Sequence, residues 1–473
     1  MKEYKIYVGG EFIETGTELM VSNPFSGKNF AKTWLAGNTE LEKAIEVGKK
    51  AEKDLRSLPV YEKFNALTFI SQELVANIEN LAKTLSMESG KPMRYALGEI
   101  ERAAQTFLIA AEECKRIPGE YLSLDWTKPG LGKEGWVKYF PAGLVAGIAP
   151  FNFPMNLAVH KIAPAIAAGN PIILKPSRAT PLSVLELASI VDKSDLPEGT
   201  ISVLPMDREA GNQLVTDERF KILSFTGSPS VGWKMKKEAG KKKVILELGG
   251  NAGVLVSKSA DIDLSVQKCL VGSFAYSGQV CIHVQRIYVH DSIFDEFKEK
   301  FVSKVNGLRT GDPLDLETDV SVMIDNENAD RVEDWVNEAI KDGAKVLSGG
   351  RKKGSYFEPT VLTNTRVDMK VCSLEIFGPV VTLEKYSSFM IALEQINDSK
   401  YGLQAGIFTN ELSEMNLAFE YLDVGGVIIN DVPTFRVDHM PYGGVKNSGL
   451  GREGVKYAIL EMMEPKLLVK SRL

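Results

Sequence analysis

Five short runs decide the fold: GLVAGIAP at 143–150, PIILKPS at 171–177, TISVLP at 200–205, ILSFTG at 222–227 and VILELGG at 244–250. Each is a brief apolar run bounded by Gly, Pro or Asn, and stretches of helical length separate them. Apolar runs too short to be helices, alternating with helices, are the pattern of a parallel sheet buried on both faces, which predicts a doubly wound α/β domain. Before them, Leu41 to Leu55, Val60 to Met87 and Met93 to Ile117 carry apolar residues at three- and four-residue spacing and read as three solvent-edged helices, the last stopped by Pro118-Gly119. After them the alternation returns less regularly: RIYVH at 286–290, helices from Ile293 to Val305 and Glu327 to Asp342, FGPVVTLE at 377–384, AGIFTN at 405–410, a helix to Leu422 and GGVIIN at 425–430. A second α/β domain follows. Residues 120–141 and 464–473 alternate polar and apolar without helical partners and read as strands needing another sheet edge, which an oligomer could supply.

The 473 residues, 44% hydrophobic and 25% charged, are enough for more than one core. With 56 Lys+Arg against 62 Asp+Glu, no one-signed field points to nucleic acid or to an anionic membrane. Met1 to Lys5 lacks the apolar core of a signal peptide and no stretch is long enough to span a bilayer, so a cytoplasmic location is expected, without membrane attachment. Cys114, Cys269, Cys281 and Cys372 are too scattered for a disulfide framework, and His160, His283, His290 and His439 lack ligand spacing, so no metal is expected.

Two motifs tempt. Gly449 to Gly454 spells G-x-G-x-x-G, but it follows a polar loop and only 19 residues remain after it, so it reads as a loop. Gly227 to Lys234 resembles a P-loop with its Lys one place late and no Ser or Thr after it. Gly227 still follows an apolar run and opens a helix; Ser228 either caps a plain turn or exposes amides to an anion.

Three residues sit where chemistry is done. Cys281, in SGQVC at 277–281, lies on a turn between a helix and the strand from Arg286 to His290, whereas Cys269 has core spacing. Glu247 ends an otherwise apolar strand, where either an ion pair holds it or its pKa is tuned for base chemistry. Asn152 follows GLVAGIAP, at the strand ends where open α/β sheets place ligands.

PFNFP at 150–154, ILKPS at 173–177, FTGSPSVG at 225–232, LELGG at 246–250, SGQVC at 277–281 and EIFGPVV at 375–381 make the whole chain resemble the aldehyde dehydrogenase superfamily, and the 34-residue interval from Glu247 to Cys281 matches its spacing. The resemblance implies a Rossmann-like cofactor domain at 1–119 and 142–249, a catalytic domain at 250–456 and an oligomerisation arm at 120–141 and 457–473, in a homodimer or homotetramer. It implies Cys281 as the nucleophile toward a small-molecule aldehyde, Asn152 with the Cys281 N–H as oxyanion donors, and Glu247 as the base that hydrolyses the thioester to the acid. The presence of Glu247 favours hydrolysis over acyl transfer to coenzyme A, the alternative within the family. A cysteine hydrolase pairing Cys281 with His283, and a catalytically silent relative, are the readings from other classes.

For the cofactor, NAD or NADP, the resemblance implies Lys175 on the adenosine ribose, Ser228 on the pyrophosphate, Glu375 on the nicotinamide ribose and Phe377 against the ring, with Ile148, Phe151, Ser177 and Gly227 also lining the site. Members preferring NAD often have Glu where this chain has Arg178. An Arg pairs with a 2′-phosphate, or it points to solvent and NAD binds through Lys175. The loop Asn430 to His439 looks like that of lactaldehyde and non-phosphorylating glyceraldehyde-3-phosphate dehydrogenases, which implies a small hydroxylated or acidic aldehyde with Arg436 or His439 near its distal end. Val280 stands where phosphate-binding members have Arg, which argues against a phosphorylated substrate.

Overall fold

The structure, a computed structural model, describes residues 1–471. The five quoted runs form adjacent parallel strands, in spatial order Lys243–Glu247, Ile222–Thr226, Val145–Ile148, Ile172–Lys175 and Ile201–Val203. Successive side chains of a strand point to opposite faces, and both faces here are apolar. Val145, Ile222 and Ile245 join one core with the helices Val60–Ala76, Met93–Glu113 and Pro154–Ala168, while Ala146, Leu223 and Leu246 join another with the helices Asn38–Ser57 and Arg208–Thr216.

Three antiparallel additions enlarge this sheet to eight strands. Ile6–Val8 and Glu11–Ile13 extend it on one side. On the other side Gly449–Leu450 pairs with Lys243–Glu247, placing Gly449 opposite Glu247. GLGREG is therefore a two-residue strand running into a turn, where the sequence predicts only a loop; two residues are too few for any period to declare itself. The pairing brings residues 443–453, distant in sequence, against the end of the Glu247 strand.

The second sheet has seven strands, ordered Lys345–Ser348, Thr360–Thr363, Val380–Tyr386, Val284–His290, Ala252–Val256, Gln404–Phe408 and Gly426–Ile429, all parallel except the first. It too is buried on both faces: Val254 and Val256 join one cluster, Leu255 the other. A separate antiparallel sheet of Gly119–Ser123, Lys133–Pro141 and Met463–Ser471 stands apart, with nearly all of its last strand exposed. Residues 457–461, expected in the arm, finish the helix Val455–Glu461 instead, and 472–473 lie outside the described residues.

The expected helix from Val60 to Met87 is two, Val60–Ala76 and Ile78–Ser89. Asn77 makes the break: its backbone leaves the helical range at φ −110° and ψ 15°, and its side-chain amide competes for Glu73 O, while apolar spacing runs through the junction undisturbed. The helix Pro154–Ala168 is buried along its whole length, His160 and Lys161 included. Charged groups in such a helix need partners among their neighbours.

Candidate active site

Cys281 is presented by a strained turn. After the helix Ile262–Phe274, Tyr276, Ser277 and Gly278 all take positive φ, 48°, 53° and 67°. For the first two this conformation costs about 1–3 kcal/mol each, which the surroundings must supply. Tyr276 Oη donates to Ser89 O at 3.1 Å, Ser277 Oγ donates to Ser321 O at 2.9 Å, and Gln279 Oε1 accepts from Ile324 N at 3.0 Å. Gly278 lies so close to Gly378 that a Cβ would meet its carbonyl oxygen at 2.1 Å. Cys281 is partly exposed, whereas Cys114, Cys269 and Cys372 are buried. Burial pushes its thiol up to about 11, helped by the nearby charges of Glu375 and Glu247 and opposed by a contact with the Tyr442 hydroxyl at 3.2 Å.

Asn152 enters from the first sheet, just past Val145–Ile148 and before the helix that opens at Pro154. Its Nδ2 donates to Gln279 O at 2.9 Å, tying it to the Cys281 turn. A buried ion pair lies behind both. The Lys91 ammonium sits 3.7 Å from the Phe153 ring centroid and 4.4 Å from that of Tyr276, and pairs with Glu99 Oε2. Glu99 Oε1 accepts from Met155 N and Asn156 N at 3.0 and 3.1 Å, capping the helix that follows Asn152.

Glu247, at the end of its strand, is 3% exposed, and neither carboxylate oxygen has a hydrogen-bond partner among the described residues. Of the two possibilities left by the sequence, no direct ion pair holds it. Burial raises its pKa well above the ordinary carboxylate value, the Glu453 charge adds to that, and Arg436 and Lys161 act against it. Behind it runs a buried network that the sequence did not disclose. Lys161 Nζ donates to Thr226 Oγ1 at 2.7 Å and lies 3.4 Å from Glu453; Arg436 bonds Glu453 at 3.0 Å; His160 Nε2 and Arg102 bond Asp438 at 2.8 and 2.7 Å. Burial opposes ionisation of Asp438, but His160 and Arg102 overcome it and hold its carboxyl well below the usual range. The Arg436 guanidinium lies 3.7 Å from the Tyr442 ring centroid.

A cavity of about 580 Å³ opens in front of Cys281, lined by Asn152, Glu247 and Cys281 at one end and by Phe151, Gly227, Ser228, Glu375 and Phe377 beyond. Glu375 accepts from Gly250 N at 3.0 Å and is pushed up to about 7 by burial; a Cβ on Gly249 would strike it at 2.2 Å. Phe377, at φ 44°, meets Phe151 edge to face at 5.9 Å. Asn328, Arg331 and Trp335 of the helix Asn326–Lys341 also line the cavity. No pattern in that helix distinguished them from a solvated face.

Other expected residues are placed elsewhere. Ile148, Lys175, Ser177, Arg178, Arg436 and His439 do not line this cavity. Ile148 is buried at the end of its strand, Lys175 lies against Gly211, Ser177 Oγ accepts from Ala179 N at 3.2 Å, and Arg178 is exposed. Of the two residues expected near the distal end of the substrate, Arg436 or His439, His439 is exposed. Along this loop Phe435, Val437 and His439 turn outward while Arg436 and Asp438 turn inward, and the imidazole beside Arg436 is that of His160, at 3.2 Å. His283, the base of the hydrolase reading, is buried with its Nε2 unpartnered and forms no bond to Cys281 among the described residues.

A dinucleotide suits these surroundings. Gly249 and Gly227 let Glu375 and the Phe225 ring pack where a Cβ would collide with them, Ser228 stands exposed at the N-terminus of the helix Pro229–Glu238, and the Lys175 ammonium is largely buried without a hydrogen-bond partner among the described residues.

The aldehyde dehydrogenase family profile matches residues 12–468. The chain is 43% identical to a 3-sulfolactaldehyde dehydrogenase of Priestia aryabhattai over 99% of this chain and 98% of that one. Aldehyde dehydrogenase 21 of Physcomitrella patens, solved with the reaction product succinate, superposes with a TM-score of 0.98 at 45% identity, covering 100% and 99% of the two chains. The glyceraldehyde-3-phosphate dehydrogenase GapN of Methanocaldococcus jannaschii, solved with NADP, gives 0.92 at 40% identity, covering 97% and 100%.

Proposed function

The chain belongs to the aldehyde dehydrogenase family and oxidises aldehydes with NAD or NADP, and on that premise we propose that Cys281, Asn152 and Glu247 carry the reaction on a short aldehyde bearing a hydroxyl or anionic group. The observation that carries this is their convergence from three separate segments on one end of the 580 Å³ cavity. The bound nicotinamide supplies the acceptor for the hydride of the aldehyde carbon.

The Cys281 thiolate attacks that carbon, and the aldehyde oxygen becomes an oxyanion. Asn152, fixed through one N–H to Gln279 O, directs its other at this oxygen; one such donor is worth about 3 to 4 kcal/mol in acyl-transfer enzymes. Loss of the hydride leaves a thioester on Cys281. Glu247, without a partner to satisfy its oxygens, takes a proton from water, which adds to the thioester carbon and releases the acid. Glu375 and Phe377 hold the nicotinamide end of the cofactor and Ser228 its pyrophosphate. Lys175 and Arg178, close enough for Arg178 to depress the Lys175 pKa beyond the effect of burial, suit a 2′-phosphate.

Arg436 supports the substrate class. Its side chain is 7% exposed, its Nε has no hydrogen-bond partner among the described residues, and it packs on the ring of Tyr442, which touches Cys281. The relative named for sulfolactaldehyde and the relative solved with succinate agree with an anionic or hydroxylated substrate. The free cysteines suit a reducing, cytoplasmic compartment, and no helix of the described residues is long and apolar enough to cross a membrane. Exposed Trp136, Leu467, Leu468 and Val469 on the three-stranded sheet suit burial against a second copy of this chain.

The test is nicotinamide reduction with hydroxylated, anionic and plain aldehydes, using NAD and NADP separately and no coenzyme A. The expected result is preference for the polar aldehydes. In Arg436→Gln the ratio of anionic to neutral activity falls roughly tenfold or more, the worth of one charged hydrogen bond; an unchanged ratio removes Arg436 from substrate recognition.

A further inference from the structure

Tyr442 touches the reacting atom, and nothing in the reaction described so far uses it. Its hydroxyl lies 3.2 Å from Cys281 Sγ, and its side chain is buried beside Val280, Ile282 and Leu403. It is unusually well fixed. Tyr442 N donates to Glu453 O at 2.9 Å, and Glu453 N donates to Tyr442 O at 2.6 Å. The Glu453 side chain holds Arg436 at 3.0 Å, and the guanidinium of Arg436 returns to the Tyr442 ring at 3.7 Å. Backbone bridge, ion pair and cation–π contact thus close a loop that starts and ends at Tyr442, so the phenol cannot swing away without breaking one of them.

We propose that Tyr442 is a catalytic residue whose hydroxyl donates to the Cys281 thiolate and sets the fraction of the nucleophile that is ionised. The inference rests on Cys281 being the nucleophile. In the resting pair either group can donate, because thiol and phenol each carry one proton. After ionisation only the phenol has a proton, and a neutral–neutral contact becomes a charge-assisted one. A bond that strengthens on ionisation favours the ionised form.

The proton balance is simple: the S–H bond breaks, its proton leaves to water in the cavity, and the O–H bond of Tyr442 stays intact throughout. The phenol is suited to keep its proton, since burial, the thiol beside it and Glu247 all hold its pKa far above the ordinary value, with Arg436 in opposition. The other groups acting on Cys281 are Glu375, after the helix Lys370–Ser373, and Glu247, at the end of its strand; both are acidic and disfavour the thiolate, while Arg436 favours it. Tyr442 is therefore the hydrogen-bond donor that offsets a desolvated site with acidic neighbours.

The test is the rate of iodoacetamide alkylation of the full-length protein against pH, from neutrality to above the value near 11 to which burial raises the thiol. The modified residue is identified by peptide mass, and the ultraviolet absorbance of the thiolate is read alongside as a measure independent of reagent access. In Tyr442→Phe, which keeps the ring under Arg436, the midpoint moves upward. At neutral pH both alkylation and aldehyde oxidation fall about tenfold, as loss of one charge-assisted hydrogen bond predicts, and alkylation converges on the wild type at high pH. An unchanged midpoint by both readouts overturns the proposal, as does a loss of alkylation by the same factor at every pH, which would make Tyr442 a packing group. Retention of aldehyde oxidation by Cys281→Ala overturns instead the assignment of the nucleophile.

Discussion

Glu99, on the helix Met93–Glu113, and Glu247, at the end of the strand Lys243–Glu247, are both excluded from solvent, yet the first uses both carboxylate oxygens and the second neither. Glu99 takes Lys91 on one oxygen and two helix-terminal N–H groups on the other. Glu247 has only the longer-range influence of Glu453, Arg436, Lys161 and Arg452. A buried carboxylate that is fully bonded holds structure together; one left without donors is costly and keeps its lone pairs for water or substrate. The two regions meet at Asn152, whose helix Glu99 caps and whose amide shares the cavity with Glu247.

The largest expected effect tests the idle member. Glu247→Gln lowers steady-state turnover by about 10²–10⁴-fold, the usual worth of a general base, while a pre-steady-state burst of about one reduced nicotinamide per site survives, because the thioester still forms. Stopped-flow absorbance reads both, and loss of the burst together with turnover would assign Glu247 an earlier step.

Glu99→Gln has the opposite character. It leaves Lys91, fully buried, without its counter-charge, and breaking such a pair costs roughly 3–5 kcal/mol of stability. Denaturant titration checks this; a loss below 1 kcal/mol would show that the ring faces of Phe153 and Tyr276 suffice to hold the ammonium. Glu247→Gln, by contrast, is expected to stabilise. The pKa of Glu247 is raised by folding, so its proton is bound more tightly in the folded chain; its contribution is complete below the ordinary value of 4.5 and is lost as pH climbs through the raised one. The melting temperature of the Gln variant should therefore gain on that of the wild type as pH rises, and a gap that shrinks would contradict the raised pKa.

The smallest effect concerns Glu375, intermediate between the two, with one backbone donor and a pKa pushed up to about 7 by burial. The KM for the cofactor should rise roughly fivefold as pH falls through 7, since a charged acceptor exceeds a neutral one by about 1 kcal/mol. Glu375→Gln should abolish that slope, and a slope persisting in the variant would place the titrating group elsewhere.

Much of this was legible because strand ends are local. Asn152, Glu247 and Cys281 each stand at the edge of an apolar run, so a polar residue there was conspicuous before any contact was known. The same locality misled at Asn77, where apolar spacing continues across a helix break, and at Gly449–Leu450, a strand of two residues. Arg436 was visible as a basic residue in a loop, but whether it or His439 faced inward depended on how that loop alternates against Glu453 and Asp438.

By itself, then, the sequence determined the two parallel sheets, the family and the three residues to which the proposed chemistry is assigned, since periodicity and motif spacing are properties of neighbours along the chain. Only the tertiary structure decided what surrounds them. Tyr442 meets Cys281 across 161 residues, and Arg102 meets Asp438 across 336. Such pairs have no local signature, because only the packing of segments far apart in the chain brings their side chains into contact. Whether a buried carboxylate is satisfied or left idle is settled by which donors the packing brings within reach: Lys91 and the N–H groups of Met155 and Asn156 reach Glu99, and none reaches Glu247 among the described residues.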